Sequence, residues 1–367
     1  MTVLVTGSTG FLGTVVVERL LARGVTTIRC LARPSSNAAP LRALASGPYA
    51  DRVQVTVGNL QSARDAERAV AGADTICHLA AAMRGSPSSV FLDTVVATSR
   101  LLDAVASSAV RRLVLVSSLS VYGLADVPVD RLVDEGIGLE THPEWRDVYS
   151  HAKLRQELLV HEHIARAALE VVILRPATLY GCGRPLLPAR VGLSGCGWLL
   201  QFGASHMLPL SHVSNCAEAV ALAGTGALPT GAYNVVDDDL PTVDEYVRRY
   251  KREVGHLRSI RCPFFAAMLL SGAAERLHVS SKGRFPRVLT PYRTATLWRG
   301  HRFDNRKLRQ AGWTQLISTR DGLARAFDDR GVRHHVALRR DAHVPEPTAT
   351  SPAELAPVFS AAVSTRQ

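Results

Sequence analysis

The sequence lacks a long apolar run and a recognisable leader, and both absences narrow its class. No stretch of about 18 uncharged apolar residues occurs, which is the length that a membrane-spanning helix needs. The nearest candidate, Leu186–Leu210, is interrupted by Arg190, glycine and proline, and it also contains His206. Met1 leads directly into a strand-like VLV run without a charged and apolar leader, so no signal peptide is expected. We therefore expect a cytoplasmic protein without a membrane span.

Cysteine is sparse and shows no pattern. The sequence has neither a CxxC pair nor the Cys/His spacing that is typical of metal ligands. The six cysteines are Cys30, Cys77, Cys182, Cys196, Cys216 and Cys262. A disulfide framework and a metal site are therefore not expected, and buried reduced thiols are the better interpretation.

Acidic residues are fewer than basic ones, 32 against 43, which gives a formal net charge of +11. The arginines are spread along the whole chain, with local clusters only at Arg248–Arg252 and Arg330–Arg340. No basic stripe interleaved with aromatic residues accompanies them, so nucleic-acid binding is not expected. The excess charge indicates a solvated arginine-rich surface, or a field that attracts an anionic cofactor or substrate.

The chain has 367 residues, of which 47% are hydrophobic, enough for two domains or one large one. In its first 175 residues, short β-branched runs alternate with helical patterns such as Phe11–Arg23 and Val90–Ser107. The strand candidates are Val3–Thr6, Thr27–Leu31, Val53–Val57, Thr75–His78, Leu113–Val116 and Val171–Leu174. Such alternation predicts an α/β fold, a doubly wound parallel sheet of the Rossmann type with helices on both faces.

The pattern loosens after Pro176. Helices are predicted at Asn215–Ala223 and Val243–Val254, with a strand between them at Ala232–Val236. We expect a dinucleotide-binding domain at residues 1–175 and a smaller, mixed substrate-binding lobe at residues 176–329, with segments that return to the first domain. Residues 330–367 are basic and then rich in Pro, Ala, Ser and Thr, which predicts a disordered tail.

A glycine-rich turn, TGSTGFLG, follows the first strand directly. Gly7 permits the tight turn, Gly10 lets the backbone approach a pyrophosphate, and Gly13 allows close packing between helix and strand. The helix that begins near Phe11 offers free N–H groups and a positive dipole end to phosphates. The sequence therefore predicts a dinucleotide site in this turn.

The end of the second predicted strand bears on which dinucleotide binds. NAD sites commonly place an acidic residue there for the ribose 2′-hydroxyl. This strand continues through Cys30-Leu31-Ala32-Arg33-Pro34 with no acidic residue. Arg33 could pair with a 2′-phosphate, which favours NADP over NAD; the alternative is an exposed loop arginine.

VYSHAK places Tyr149 and Lys153 four residues apart, on one face of a predicted helix. A lysine ammonium close to a phenol favours the phenolate, so Tyr149 could exchange a proton with a substrate hydroxyl or carbonyl. The buried strand LVLVSSLSVYG ends in hydroxyl residues at the edge where doubly wound sheets bind ligands. Ser117, Ser118 and Ser120 could each hold the reacting oxygen, and the residues alone do not choose between them.

Five sequence motifs occur along the chain in an order that is typical of one family. They are TGSTGFLG, HLAA, VSSLSVYG, YSHAK and LRPATLYG. The chain resembles the extended short-chain dehydrogenase/reductase family, in particular its NAD-dependent epimerase/dehydratase branch, with similarity to 3β-hydroxysteroid dehydrogenase-like and dihydroflavonol reductase-like members. The resemblance covers roughly residues 1–325, because SHVSNCAEAV, GAYNVVDD and FDNRKLRQAGW echo the second half of the family.

The resemblance implies roles for individual residues. It selects Ser118, four residues before the tyrosine of VYG, as the catalytic serine beside Tyr149 and Lys153. It also implies that the cofactor contacts the glycine-rich turn, the adenine pocket, the HLAA segment and the loop that passes the nicotinamide. The cofactor-binding residues would then be Gly7, Thr9, Gly10, Phe11, Leu12, Gly13, Arg33, Asn59, Leu60, Ala80, Ala81, Tyr149, Lys153 and Pro176. A homodimer could form through helices of the type predicted at Val90–Ser107 and Arg146–Arg166.

The chain departs from the family pattern on the substrate side. Leu119 and Ser120 stand where sugar dehydratases have Asp-Glu, which argues against 4,6-dehydration. Leu208-Pro209 replace an Arg-Asp pair that grips the diphosphate of nucleotide sugars, although Arg184 or Arg190 could substitute. Thr94 stands where relatives often have an asparagine of the proton relay.

Three further residues near these motifs invite a chemical role, and a structural one is the better interpretation for each. Cys182 follows Tyr180-Gly181 and is interpreted as a loop substitution. His212 is interpreted as a packed or hydrogen-bonding residue. His151 is expected to point away from Tyr149.

The sequence thus predicts an NAD(P)-dependent oxidoreductase that acts on a secondary alcohol or ketone, with a sugar derivative as the first expectation for the substrate. A steroid-, terpenoid- or flavonoid-like ketone is the alternative, since Pro263–Leu270 and Leu186–Leu200 could line an apolar cleft. A non-catalytic dinucleotide-sensing protein is the alternative from another class, and Ser118, Tyr149 and Lys153 argue against it.

Overall fold

The computed structural model describes residues 1–47, 49–164, 169–182, 187–195, 197–255, 257–282, 284 and 289–328. The predicted tail at residues 330–367, Cys196 and Arg184 therefore lie outside the described residues. The strands, in chain order, are β1 (Thr2–Thr6), β2 (Thr27–Ala32), β3 (Val53–Val57), β4 (Thr75–His78), β5 (Arg112–Val116), β6 (Glu170–Pro176), β7 (Thr178–Tyr180), β8 (Gly192–Gly195), β9 (Trp198–Phe202), β10 (Leu210–His212), β11 (Gly231–Val235) and β12 (Arg258–Cys262).

The α-helices alternate with these strands in the first half of the chain and dominate the second. They are α1 (Phe11–Ala22), α2 (Ala39–Ser46), α3 (Ala63–Val70), α4 (Pro87–Phe91), α5 (Ala97–Ala106), α6 (Val148–Ile164), α7 (Val213–Gly224), α8 (Val243–Glu253), α9 (Phe264–Ser280), α10 (Pro291–Trp298), α11 (Arg306–Gln310) and α12 (Thr319–Asp328). Each of the six strands predicted in the first half, and the helix predicted at Phe11–Arg23, corresponds to structure at that place, with ends shifted by a few residues.

The central sheet has seven strands in the order β11-β6-β5-β4-β1-β2-β3, and every neighbouring pair is parallel. The chain runs outward in one direction from β1 through β2 to β3, and then in the other direction from β4. This reversal leaves a crevice between β1 and β4 at the carboxyl edge of the sheet, where such folds bind ligands. The predicted doubly wound parallel sheet is confirmed.

Strand residues divide between the two faces of the sheet because successive side chains point to opposite sides. In β1, Val3 and Val5 belong to the core that contains α1 and α7, whereas Leu4 belongs to the core that contains α3 and α5. All three are fully buried. Coverage on both faces explains why these strands read as continuous apolar runs.

The second half of the chain is a smaller mixed lobe. β12 pairs in parallel with β9, β9 pairs antiparallel with β8, and β10 pairs in parallel with β7. β11 returns to the central sheet beside β6, and α7 packs across α1. No helix among the described residues is long and apolar enough to cross a bilayer.

The helix predicted as one element at Val90–Ser107 is interrupted. It begins earlier, at Pro87, because the Ser86 side chain accepts a hydrogen bond from the Ser89 N–H at 3.2 Å and caps it. A π-helical turn at Leu92–Val96 then separates α4 from α5. π-turns of this kind widen a helix locally and are frequent near functional sites. Here the turn carries Thr94, whose hydroxyl accepts a hydrogen bond from the Ala82 N–H at 3.0 Å.

Candidate active site

A cleft of about 730 Å³ opens at the carboxyl edge of the central sheet. All residues that the sequence analysis assigned to catalysis or cofactor binding line this one cleft. They are Gly7, Thr9, Gly10, Phe11, Leu12, Gly13, Arg33, Asn59, Leu60, Ala80, Ala81, Ser118, Tyr149, Lys153 and Pro176. The fold thus brings together residues from both halves of the central sheet, as an elongated dinucleotide requires.

The glycine-rich turn is built so that side chains cannot fit. Gly7 has a φ of +70°, and a Cβ there would lie 2.8 Å from the Ala80 nitrogen. A Cβ on Gly13 would lie 2.2 Å from the Gly7 carbonyl oxygen, which accepts a hydrogen bond from the Gly10 N–H at 3.0 Å. The Ser8 hydroxyl donates to the Leu31 carbonyl at 3.0 Å and ties the turn to β2. The bare backbone at the start of α1 fits a pyrophosphate.

Gly13→Ala is expected to weaken NADH binding by roughly tenfold or more, because overpacking against backbone costs about 1–3 kcal/mol. The measurement is a titration of NADH fluorescence on the purified variant. Gly272→Ala is the matched control, since Gly272 also lies within a helix but has open space where the methyl group would go. The control should bind NADH normally and be slightly stabilised, by about 0.5–1 kcal/mol. Equal NADH affinity in both variants would contradict the role given to Gly13.

Arg33 lies at the end of β2, but its guanidinium is already engaged. It forms an ion pair with Asp93 at 2.8 Å, and the Asp93 carboxylate also accepts a hydrogen bond from the Gln61 amide at 2.7 Å. Both Arg33 and Asp93 line the cleft. The sequence analysis missed Asp93 because it lies 60 residues from Arg33 in the chain. An acidic residue is therefore present at this edge, supplied by the π-helical turn rather than by β2.

Lys153 is buried beneath the cleft, one helical turn after Tyr149 on α6. Its ammonium donates hydrogen bonds of 2.6 Å to the Val116 carbonyl and to the Gln156 side-chain oxygen. Burial lowers the pKa of Lys153 to about 7, and the nearby Glu157 carboxylate partly counteracts this. The lysine is thus held at the end of β5, beside the serines of the strand end.

A buried polar network lies behind Lys153. The Gln156 amide donates to the Thr98 hydroxyl at 2.8 Å and to the Ala80 carbonyl at 3.2 Å. The two ring nitrogens of His78 lie 2.7 Å from the Thr6 hydroxyl and 2.8 Å from the Thr98 hydroxyl. Burial and the charge of Lys153 lower the pKa of His78 to about 3, so this imidazole is neutral at physiological pH.

The sequence analysis missed Gln156 as a partner of Lys153. Its spacing of three residues on the same helix was the available signal. His78 was noted only as part of HLAA, and its contact with α6 spans 78 residues of chain. Together these residues fix the position of the lysine without bringing another charge to it.

The structure distinguishes Ser117 from Ser118 among the three serines that follow β5. The Ser117 hydroxyl donates a buried hydrogen bond to the Glu157 carboxylate, so its proton is already used. The Ser118 oxygen accepts a hydrogen bond from the Ser120 N–H at 3.1 Å, which leaves its own proton available to a ligand in the cleft. The geometry therefore favours Ser118 over Ser117 for holding a reacting oxygen.

Three residues whose side chains could act as an acid, a base or a nucleophile lie outside the lining of the cleft. Cys182 is exposed, and its thiol donates to the Arg325 carbonyl at 3.7 Å. His212 caps α7, because its Nδ1 accepts a hydrogen bond from the Ser214 N–H at 3.2 Å. The His151 ring packs edge-to-face against Phe91, with ring centres 5.0 Å apart. None of the three lines the described cleft, in line with the structural interpretation of each.

The cleft also has apolar residues in its lining. They include Leu119 and Leu187, Pro188 from the segment before β8, and Leu297 from α10. The basic residues Arg190 and Arg293 line the same cleft. Within the described chain, no group of three His, Cys, Asp or Glu residues could hold a metal ion.

Comparison with known proteins places the chain in a family. The family model described as the NAD dependent epimerase/dehydratase family matches residues 3–193. The chain belongs to this family. The family's relatives include proteins named 3beta-hydroxysteroid-dehydrogenase/decarboxylase and cinnamoyl-CoA reductase, which confirms the resemblance described from the motifs.

Two curated relatives match along most of their length. The 4-hydroxy-2-methyl-3-oxo-4-farnesyl-3,4-dihydroquinoline-1-oxide ketoreductase of Stigmatella aurantiaca is 26% identical over 88% of this chain and 95% of its own. The 2-alkyl-3-oxoalkanoate reductase of Stenotrophomonas maltophilia is 27% identical over 89% of this chain and 98% of its own. The protein is thus an oxidoreductase or epimerase of the extended short-chain dehydrogenase/reductase type.

Among solved structures, the UDP-glucuronic acid 4-epimerase from Bacillus cereus in complex with NAD has a TM-score of 0.66. It covers 91% of this chain and 99% of its own chain, at 16% sequence identity. At that identity the likeness concerns the fold, which it shares with this protein.

Proposed function

We propose that this protein catalyses reversible hydride transfer between a nicotinamide cofactor and a secondary alcohol or ketone. The observation that carries the proposal is the placement of Ser118, Tyr149 and Lys153 in the same cleft as the glycine-rich turn. The absence of room for any side chain at Gly7 and Gly13 fits the cofactor's pyrophosphate. When bound, the nicotinamide supplies or accepts the hydride.

Each of the three residues has a distinct task in this proposal. Tyr149 gives a proton to the substrate carbonyl in reduction and takes one from the hydroxyl in oxidation. Lys153 holds positive charge near the phenol and lowers its pKa, because an adjacent cation favours the phenolate. The Ser118 hydroxyl donates to the substrate oxygen and stabilises the negative charge that develops there.

For the substrate, we propose an apolar ketone rather than the sugar derivative first expected. Leu119, Leu187 and Leu297 line the cleft, and their side chains offer a sugar no hydrogen-bonding groups. Two relatives that match most of the chain are named as a ketoreductase of a farnesyl-bearing quinoline oxide and a reductase of alkyl-oxoalkanoates. Both names describe ketones with apolar substituents.

The test is a panel of matched substrates with NADH or NADPH, followed by cofactor absorbance. Medium-chain 3-oxoesters and steroid ketones represent the apolar class, and UDP-glucose and UDP-N-acetylglucosamine represent the sugars. We expect cofactor oxidation with the apolar ketones and neither redox turnover nor epimerisation with the nucleotide sugars. The reverse pattern would return the substrate to the sugar class, and no turnover with either class would refute the proposal.

Arg33 is proposed to govern the choice between NADP and NAD, with NADP slightly favoured. A 2′-phosphate would compete with Asp93 for the Arg33 guanidinium, which lines the cleft just after β2. Arg33→Ala should weaken NADPH binding by roughly 10- to 100-fold, because a hydrogen bond to a charged group contributes about 1.5–3 kcal/mol, and it should hardly change NADH binding. Asp93→Asn should do the opposite and strengthen NADPH binding. Equal losses of both cofactors in Arg33→Ala, measured by fluorescence titration, would remove this role.

A further inference from the structure

We propose that the cleft contains a second polar subsite, built on Arg190, that binds an anionic oxygen group of the substrate, a carboxylate or a phosphate. The inference rests on the proposed function, since it concerns the substrate that enters the same cleft as Ser118 and Tyr149. The substrate would then have one charged end, and the rest of its surface would be apolar.

Arg190 is held in a fixed place in the lining of the cleft. It belongs to a short 3₁₀ turn, Ala189–Val191, in which Val191 is fully buried. The indole N–H of the buried Trp298 donates to the Ala189 carbonyl at 2.9 Å and ties this turn to α10. The Arg190 guanidinium carbon lies 5.2 Å from the centre of the Phe303 ring, so one face of the cation is packed.

The charge of Arg190 has no counterion in the part of the chain that the structure describes. The neighbouring charge is that of Arg146, whose partner Glu140 lies 2.9 Å from it and also accepts from the Tyr292 hydroxyl. Burial and the charge of Arg146 lower the pKa of Arg190 to about 10, so it remains cationic at neutral pH. A cation that is partly removed from water without a partner is costly, and a bound anion would remove that cost.

Three other polar groups, of Asp147, His301 and Ser120, do not pair with Arg190. Asp147 lines the cleft but is occupied by the Ser150 N–H at 3.0 Å and the Ser150 hydroxyl at 2.7 Å. Burial and the charges of Arg190 and Arg299 lower the pKa of His301 to about 4, so this ring is neutral. The Ser120 hydroxyl is buried, lines the same cleft and has no hydrogen-bond partner among the described residues.

Two features of the cleft thus point to a polar ligand: among the described residues, the Arg190 guanidinium has no counterion and the Ser120 hydroxyl has no hydrogen-bond partner. Buried polar groups without partners are rare, and each one in a cleft indicates a ligand or water. An arginine also offers several N–H donors in a planar arrangement that matches carboxylate and phosphate oxygens. A substrate anchored here by its anionic end would present its carbonyl to Ser118 in a fixed orientation.

The test measures binding to the full-length, NADH-loaded protein by isothermal calorimetry, without turnover. The probes are decanoate, decyl phosphate and methyl decanoate, which share an apolar chain and differ in charge. We expect the better of the two anions to bind at least about tenfold more tightly than the ester. Whether that is decanoate or decyl phosphate decides between a carboxylate and a phosphate.

Arg190→Gln should reduce the anion-to-ester ratio to within about twofold of one, and Arg190→Lys should keep part of it. Arg111→Gln is the control, since Arg111 is an exposed arginine at the opposite edge of the sheet, and it should keep the full ratio. Normal NADH affinity in each variant shows that it is folded.

The proposal is overturned if the wild type binds the ester as well as the anions, if it binds none of the three probes, or if Arg190→Gln keeps the ratio. Different outcomes would refute the proposed function. Anions bound through Arg190 without reduction of any ketone would refute the chemistry and leave the subsite. Reduction of neutral ketones without preference for anions would refute the subsite and leave the proposed chemistry.

Discussion

Replacing Tyr149 with phenylalanine is expected to lower kcat by about 10²- to 10⁴-fold, the range that a positioned acid or base contributes. In the proposed function the phenol exchanges a proton with the substrate oxygen, and Tyr149 lines the same cleft as Ser118. NADH affinity should change little, because the glycine-rich turn and the buried Lys153 remain in place. Stopped-flow or steady-state assays with the best ketone of the panel measure the loss.

The control for this prediction is Tyr233→Phe. The Tyr233 hydroxyl donates to the Pro229 carbonyl at 3.0 Å and does not line the cleft, so its loss should leave kcat within about twofold of wild type. A Tyr149→Phe enzyme that turns over as fast as the control would show that another group moves the proton.

The second large effect concerns stability. Glu157 is fully buried on α6 and accepts hydrogen bonds from Ser117 and from the guanidinium of Arg175 on β6. Burial alone would raise the pKa of Glu157, but its hydrogen bonds to His161, Arg175 and Ser117 and the charge of Arg175 lower it below its usual value. Glu157→Ala is expected to cost about 3–5 kcal/mol in the free energy of unfolding, because Arg175 would remain as a buried charge without a partner.

A surface pair supplies the comparison for Glu157. Glu170 pairs with Arg112 at the other end of β6, where the Glu170 side chain is 58% exposed. Glu170→Ala should therefore cost no more than about 1 kcal/mol in urea denaturation. The double variant Glu157→Leu with Arg175→Met should recover much of the loss, since removing both charges removes the unpaired one. Equal costs for Glu157→Ala and Glu170→Ala would contradict the assigned burial.

Local sequence patterns were sufficient for the sheet and the cofactor turn. Val3 to Thr6 followed by Gly7 and Gly13 predicted β1, the turn and α1, because an apolar strand and tightly packed glycines restrict the chain locally. Tyr149 and Lys153 were predicted from one helical turn. Each of these features depends on residues fewer than about 20 positions apart, so periodicity and spacing could reveal them.

Features that depend on distant parts of the chain were not predictable in the same way. The interruption at Leu92–Val96 is seen only once Thr94 packs against Ala82 in the folded sheet edge. The ion pair of Arg33 with Asp93 joins a strand end to a helix, and neither residue has a local pattern that names its partner. The same holds for Arg190, a candidate anion ligand from the sequence, whose lack of a counterion among the described residues is seen only in the folded chain.

The most direct measurement of the central claim follows the hydride itself. NADH or NADPH that carries deuterium at the transferred position is mixed with the enzyme and its best ketone substrate, and the product alcohol is examined by mass spectrometry and NMR. The account predicts one deuterium on the carbinol carbon for each cofactor oxidised, with transfer lost in Tyr149→Phe. Cofactor oxidation that leaves the carbinol carbon without deuterium would contradict direct hydride transfer in this cleft.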